Sequence, residues 1–310
     1  MAKNFQPLNH LTPMALYQIS WAIDAAAKQL ANAYQSREEA TRIARELVGL
    51  VTGHTPTQLI LRAEECIEET TWHAIQQLLD EHLHNHKPLA YILGSQPFLT
   101  LDLTIVPPIL IPRPETEWWV AHLIEECQKL DTATKNSLRI LDLCTGSGCI
   151  ALALAHALPQ SHIIGIDINP AAIPLAQQNS ARNNVDNVTF VLSDLFKELG
   201  TQTFDLIVAN PPYISQSDYQ TLEESVRNWE DPQALWAENE GTQLIRQIVM
   251  RAPEYLTDAL SGHLPRLWIE IGYDQAVLAP ELSTDLLSLT SMRDQFGIPR
   301  LLVEAKKTVF

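Results

Sequence analysis

Although hydrophobic residues make up 46% of the 310-residue chain, it contains no uninterrupted apolar run near the ~18 residues that a membrane-spanning helix requires. Basic residues are scarce: 21 Lys and Arg stand against 37 Asp and Glu, giving a formal net charge of -16. A lasting grip on nucleic-acid phosphates is carried by Lys and Arg, so stable nucleic-acid binding is not expected, and a protein partner with a basic face fits better. Cysteine is limited to Cys66, Cys127, Cys144 and Cys149, without Cys-x-x-Cys spacing. That excludes a secreted disulfide scaffold and predicts reduced, intracellular thiols. Residues 1–34 hold Lys3 and Lys28, no arginine, and no basic segment leading into a compact apolar core, so no targeting peptide is expected. Internal repeats and low-complexity segments are also absent.

What is present divides the chain. Its length predicts about two domains. Residues 12–87 carry apolar positions at helical spacing, clearest in Ile43, Leu47, Leu50 and Val51. Within them, Gly53-His54-Thr55-Pro56 reads as one helix stop followed by a new start. Beyond Pro88 the texture changes: residues 98–106 alternate well enough to predict a hairpin. A helix over 117–130 and a polar break at 131–137 follow, and then strands and helices alternate, which predicts an α/β domain.

The first chemical motif is the apolar strand Ile140-Leu141-Asp142-Leu143, which runs through Cys144-Thr145-Gly146-Ser147-Gly148 into a helix. Such a turn lets backbone approach a ligand closely, where unpaired helix amides point outward. It lacks the third glycine of the dinucleotide fingerprint and the Gly-Lys-Ser/Thr of a phosphate-binding loop, which favours a methyl-donor cofactor. About 20 residues on, Asp167 closes the next strand where a carboxylate can accept from ribose hydroxyls. Asp194 closes a third strand and could accept from an adenine amino group, with Leu195 and Phe196 as apolar cover. Helix capping is the alternative for both acids.

The fourth strand, residues 204–209, delivers Asn210-Pro211-Pro212-Tyr213 to the same sheet edge. An amide or exocyclic amine is a poor nucleophile because its lone pair is delocalised. The Asn210 side-chain oxygen and the Pro211 carbonyl could accept its two N–H bonds, while Pro212 stiffens the pair and Tyr213 packs against the planar group. Alone, the tetrapeptide could equally be a strand-ending Pro-Pro turn. After three cofactor segments it reads as the acceptor site of an S-adenosylmethionine-dependent methyltransferase. A protein amide and a nucleobase amine both remain open at this point.

Pro88 to Gly94, Phe98, Ile111-Pro112-Arg113-Pro114-Glu115-Thr116-Glu117, the Asp142 to Gly148 loop, Ser193 to Phe196 and Asn210 to Tyr213 together resemble the HemK family, glutamine-N5 methyltransferases acting on peptide chain release factors. The resemblance implies a small helical domain (1–87) for substrate recognition, a β-hairpin linker (88–112), and a seven-stranded Rossmann-like class I methyltransferase domain (113–310). It implies S-adenosylmethionine as cofactor and the glutamine of a release factor's Gly-Gly-Gln loop as acceptor. Glutamine methylation of a ribosomal protein, and N6-adenine or N4-cytosine methylation of nucleic acid, are the alternatives. The expected cofactor contacts are Asp142, Cys144, Thr145, Gly146, Ser147, Gly148, Asp167, Asp194, Leu195 and Asn210. Arg113 and Glu115, in the signature segment that borders the site in the family, are expected cofactor contacts as well. Two departures stand out: Cys144 where relatives commonly have glycine, and Leu195 where they often have tryptophan. Residues 268–272 resemble the family's fifth strand and residues 293–300 the turn before its last strand, neither adding a catalytic group. A cytoplasmic monomer is expected, mitochondrial if the source is eukaryotic.

Three further features are read as structural. His82 and His86, at helical i, i+4 spacing, could suggest a metal, but Lys87-Pro88 follows at once and no metal is expected. Cys144 and Cys149 lack an evident base and read as packing residues rather than nucleophiles. Trp118 and Trp119 are expected to pack their helix onto the domain.

Overall fold

The structure, a computed structural model, describes residues 15–34, 36–260 and 264–305. Residues 1–14, part of the stretch read for a targeting signal, lie outside the described set. The chain forms two compact units, Met1–Leu93 and Gly94–Phe310.

In the first unit, strand β1 (Leu16–Gln18) pairs antiparallel with β2 (Cys66–Glu68), and helices Ile19–Leu30, Arg37–Thr52 and Glu69–Leu83 enclose a small core. Local signals set the helix ends. Ser36 caps Arg37–Thr52, and left-handed Gly53 (φ 70°) ends it. Thr55 and Gln58 then form a reciprocal capping box, with Pro56 in the first turn of the next helix. The buried stripe is Ala40, Ile43, Ala44, Leu47 and Val48; Leu50, expected on it, is 45% exposed because the last turn overruns the packed face. The short helix Leu89–Leu93 also belongs here, and Leu89 and Ile92 pack on this core.

The second unit opens with a hairpin of β3 (Ser95–Phe98) and β4 (Leu101–Thr104), which begins earlier than the expected 98–106 because the turn falls at Leu99-Thr100. The helix expected over 117–130 spans Pro114–Gln128, since Pro114 serves as its first-turn residue. The polar break holds one short turn of helix, Thr132–Lys135, capped by Asp131.

A seven-stranded sheet follows, built from β5 (Arg139–Leu143), β6 (His162–Asp167), β7 (Val188–Leu192), β8 (Leu206–Ala209), β9 (Leu267–Glu270), β10 (Leu289–Arg293) and β11 (Pro299–Glu304). Their order is β10-β11-β9-β8-β5-β6-β7, and only β11 runs against its neighbours. The seven strands confirm the expected α/β architecture. The central strands read as continuous apolar runs because helices cover both faces: Ile140, Leu141, Leu143, Ile163, Ile207 and Ile269 are fully buried. Chain order reverses between β5 and β8, and such a switch point opens a crevice at the carboxyl ends of the strands.

Candidate active site

A cavity of about 470 Å³ opens at that crevice, within the size range of ligand pockets. Successive strand ends contribute Cys144 and Gly146, then Asp167 and Ile168, then Ser193, Asp194 and Leu195, then Asn210 and Pro212. Sequence reasoning missed the opposite wall: Ile109 and Leu110 before the signature helix, and residues between Asp231 and Leu244. No regular motif marks that segment.

The turn after β5 is held from below. Asp142 is fully buried; its Oδ2 accepts from Thr145 Oγ1 at 2.5 Å and from Ala151 N at 3.1 Å. Burial pushes its carboxyl up to about 7. Thr145 N donates to Ile166 O on β6. Gly148 has φ 83°, and a Cβ there would meet Ala176 at 3.0 Å and Phe190 at 3.1 Å. Asp142, Thr145, Ser147 and Gly148 therefore lie behind the cavity wall, whereas Cys144 and Gly146 line it. Cys144 has φ 62°, the left-handed region where glycine is least strained. Burial raises its thiol well above the usual range, with Asp167 and Asp142 adding to the effect.

Asp167 ties two loops together: Oδ2 accepts from Gly146 N and Oδ1 from Asn169 N, each at 2.8 Å. It does not cap the following helix, whose N-cap is Ala171. Burial raises its pKa, and those two amides pull the other way. Asp194 is paired with Lys197 at 2.5 Å. Leu195 lines the cavity, but Phe196, expected as cover for a ring, is 1% exposed and stacks on Tyr255 inside the core.

The far wall is fastened by the signature segment. Arg113 donates through Nη2 to both oxygens of buried Glu230, beside Asp231, which lines the cavity and accepts from Asn169 Nδ2 at 2.9 Å. Glu115 pairs with Arg300 at 3.4 Å on β11. Glu117 accepts from Leu99 N at 2.7 Å, in the hairpin turn. Arg113 and Glu115 thus act around the cavity without lining it. Beyond the tetrapeptide, Ile214 bridges Trp236 in parallel, and Gly241 packs so closely that a Cβ would lie 2.0 Å from Tyr213 O.

Asn210 and Pro212 line the cavity; Pro211 is buried and Tyr213 turns aside. The Tyr213 hydroxyl donates to Glu270 Oε1 at 3.3 Å, and burial followed by the Glu270 charge raises its pKa. Glu270, 2% exposed at the end of β9, also accepts from Thr116 Oγ1 and Trp119 Nε1, both at 2.7 Å. Burial raises the Glu270 pKa, while its three donors lower it. Trp119 is fully buried, in line with its packing role.

The two histidines do not share a helix face. Their helix ends at Leu83, His86 lies beyond it with φ 53°, and His82 is engaged by Tyr34 and Lys87 O. Among the described residues, no cluster of His, Cys, Asp or Glu could hold a metal.

The described lining includes Asp167, Asp194, Asp231 and Glu238 and no Lys, Arg or His. A pyrophosphate would be repelled there; a cationic sulfonium with an adenosine moiety fits, since Ile168, Ala172 and Leu195 supply apolar surface. The chain matches two family models, one described as "Methyltransferase domain" over residues 134–260 and one as "PrmC N-terminal domain" over 22–94. A protein of Thermodesulfovibrio yellowstonii named "Release factor glutamine methyltransferase" is 36% identical over 269 residues, covering 86% of this chain and 92% of that protein. The chain belongs to the release factor glutamine methyltransferase family. Proteins of the same name from Geobacter sulfurreducens (40% identical, 69% of this chain and 72% of that one) and Vibrio cholerae (34%, 94% and 97%) agree. Of the residues expected to contact S-adenosylmethionine, those that line the cavity are Cys144, Gly146, Asp167, Asp194, Leu195 and Asn210.

Proposed function

We propose that this chain transfers a methyl group from S-adenosylmethionine to the side-chain amide nitrogen of the glutamine in the Gly-Gly-Gln loop of peptide chain release factors. The observation that carries this reading is Asn210 at the end of β8, lining the cavity with Cys144, Gly146 and Asp167. When bound, the cofactor supplies an electrophilic methyl on a sulfonium. The protein orients the acceptor: Asn210 Oδ1 and the Pro211 carbonyl accept its two N–H bonds, and the rigid Pro211-Pro212 pair holds them in place. That arrangement favours the positive charge developing on nitrogen, and the proton leaves after methyl transfer, so no general base is required. The acids around the cavity favour the cationic donor over its neutral product.

The helical unit is proposed to recognise the release factor. The protein is proposed to act as a monomer, without a stable nucleic-acid partner, in the cytoplasm, or in mitochondria if the source is eukaryotic. No helix among the described residues is long and apolar enough to cross a membrane. The test is incubation with labelled methyl donor and, separately, release factor, ribosomal protein and DNA, followed by mass spectrometry. A methyl group on the Gly-Gly-Gln glutamine is expected, and methylation of nucleic acid or ribosomal protein alone would overturn the proposal.

A further inference from the structure

Asn210 carries an amide with two chemically opposite ends: Oδ1 accepts and Nδ2 donates. A glutamine amide nitrogen bears two hydrogens and must meet acceptors. Asn210 can therefore serve it only with Oδ1 presented to the substrate; a half-turn about the last side-chain bond would present hydrogens to hydrogens. Steric fit scarcely distinguishes the two orientations, because the ends are nearly the same size. Something else must choose between them.

The chooser lies behind the residue. Asn210 Nδ2 is 3.2 Å from Thr116 Oγ1, and Thr116 Oγ1 is 2.7 Å from Glu270 Oε2. A threonine hydroxyl has one hydrogen. Here the carboxylate takes it, so the Thr116 oxygen faces Asn210 with lone pairs only. The reverse Asn210 orientation would set two acceptors against each other in a buried place. Glu270 is itself fixed, since Trp119 Nε1 can only donate and donates to the same Oε2, while Tyr213 OH donates to Oε1. Thr116 is 1% exposed, which shields the chain of bonds from competing water.

We propose that Glu270, acting through Thr116, sets which end of the Asn210 amide faces the methyl acceptor. Both are positioning residues that touch neither substrate nor cofactor. The inference rests on the amide-clamp reading of Asn210 and adds the element that orients the clamp. It also assigns the threonine of the signature segment and the glutamate of β9 to one device.

The test compares Thr116→Val, which keeps the shape and removes the hydroxyl, with Thr116→Ser, which keeps the hydroxyl, in the full-length protein. Thr116→Val is expected to lower kcat by about tenfold or more with cofactor Kd within about twofold, whereas Thr116→Ser stays within about threefold of wild type. In an Asn210→Ala background, Thr116→Val should lower kcat by less than about twofold further, because the residue it orients is gone. Wild-type turnover in Thr116→Val, or a full additional loss in the double variant, would overturn the proposal. If Thr116→Val loses cofactor binding through misfolding, Glu270→Gln serves instead, with the same expected kcat loss and the same overturning result. Wild-type turnover in Asn210→Ala would sink the clamp itself. An impaired Asn210→Ala beside an intact Thr116→Val would sink only the orienting role.

Discussion

Arg113 and Glu230, 117 positions apart in sequence, meet through one guanidinium nitrogen at 2.7 and 2.6 Å from the two carboxylate oxygens. The Glu230 side chain is 1% exposed and that of Arg113 31%. Burial raises the Glu230 pKa, and Arg113 opposes the rise. Arg113→Ala is expected to cost on the order of 2–3 kcal/mol of stability, less than a fully buried pair because Arg113 remains partly solvated. Cofactor affinity should fall with it, since Asp231 lines the cavity next door. Denaturant unfolding and calorimetric titration would check both, and Glu230→Gln should be the milder change.

Asp142 makes stability depend on pH in a definite direction. Its folded-state pKa, about 7, lies above the unfolded value of 3.8. The folded protein therefore keeps a proton that the unfolded chain gives up. The resulting stabilisation is complete below the unfolded value and is lost as pH rises through about 7. Asp142→Asn removes this titration while leaving the other raised acids in place. Its melting temperature should vary less than that of wild type between about pH 5 and about pH 8. Parallel melting curves across that range would exclude the assignment.

The helical unit gives a third prediction. It has its own core and contributes none of the residues lining the described cavity. Removing Met1–Leu93 is expected to leave cofactor Kd within about threefold while methylation of intact release factor falls by about a hundredfold or more, as for a lost docking contribution. Undiminished methylation by the remaining unit would refute a recognition role.

The elements bearing on chemistry were legible in sequence because each is local. A strand running into Cys144 to Gly148, acids closing the next two strands, and Asn210 after the fourth are patterns of neighbouring residues, and the parallel sheet brings their ends together. Thr55-Pro56 and Gly53 were legible for the same reason. Thr116, Glu230, Asp231 and Glu270 were not. Thr116 stood in the signature segment without a role of its own and Glu270 in a strand, because each acquires its role from a partner more than 90 positions away. Spacing also misled at His82 and His86, since helical periodicity stops applying where the helix ends.

By itself, then, the sequence determined that an adenosine-bearing methyl donor and a planar nitrogen are the reactants, because turn geometry and side-chain chemistry at four strand ends are short-range properties. Only the tertiary structure decided which of those residues face the cavity, how Arg113 fastens its far wall, and which end of the Asn210 amide is free. Those depend on hydrogen bonds between segments far apart in the chain, and burial makes the bonds strong enough to select one arrangement.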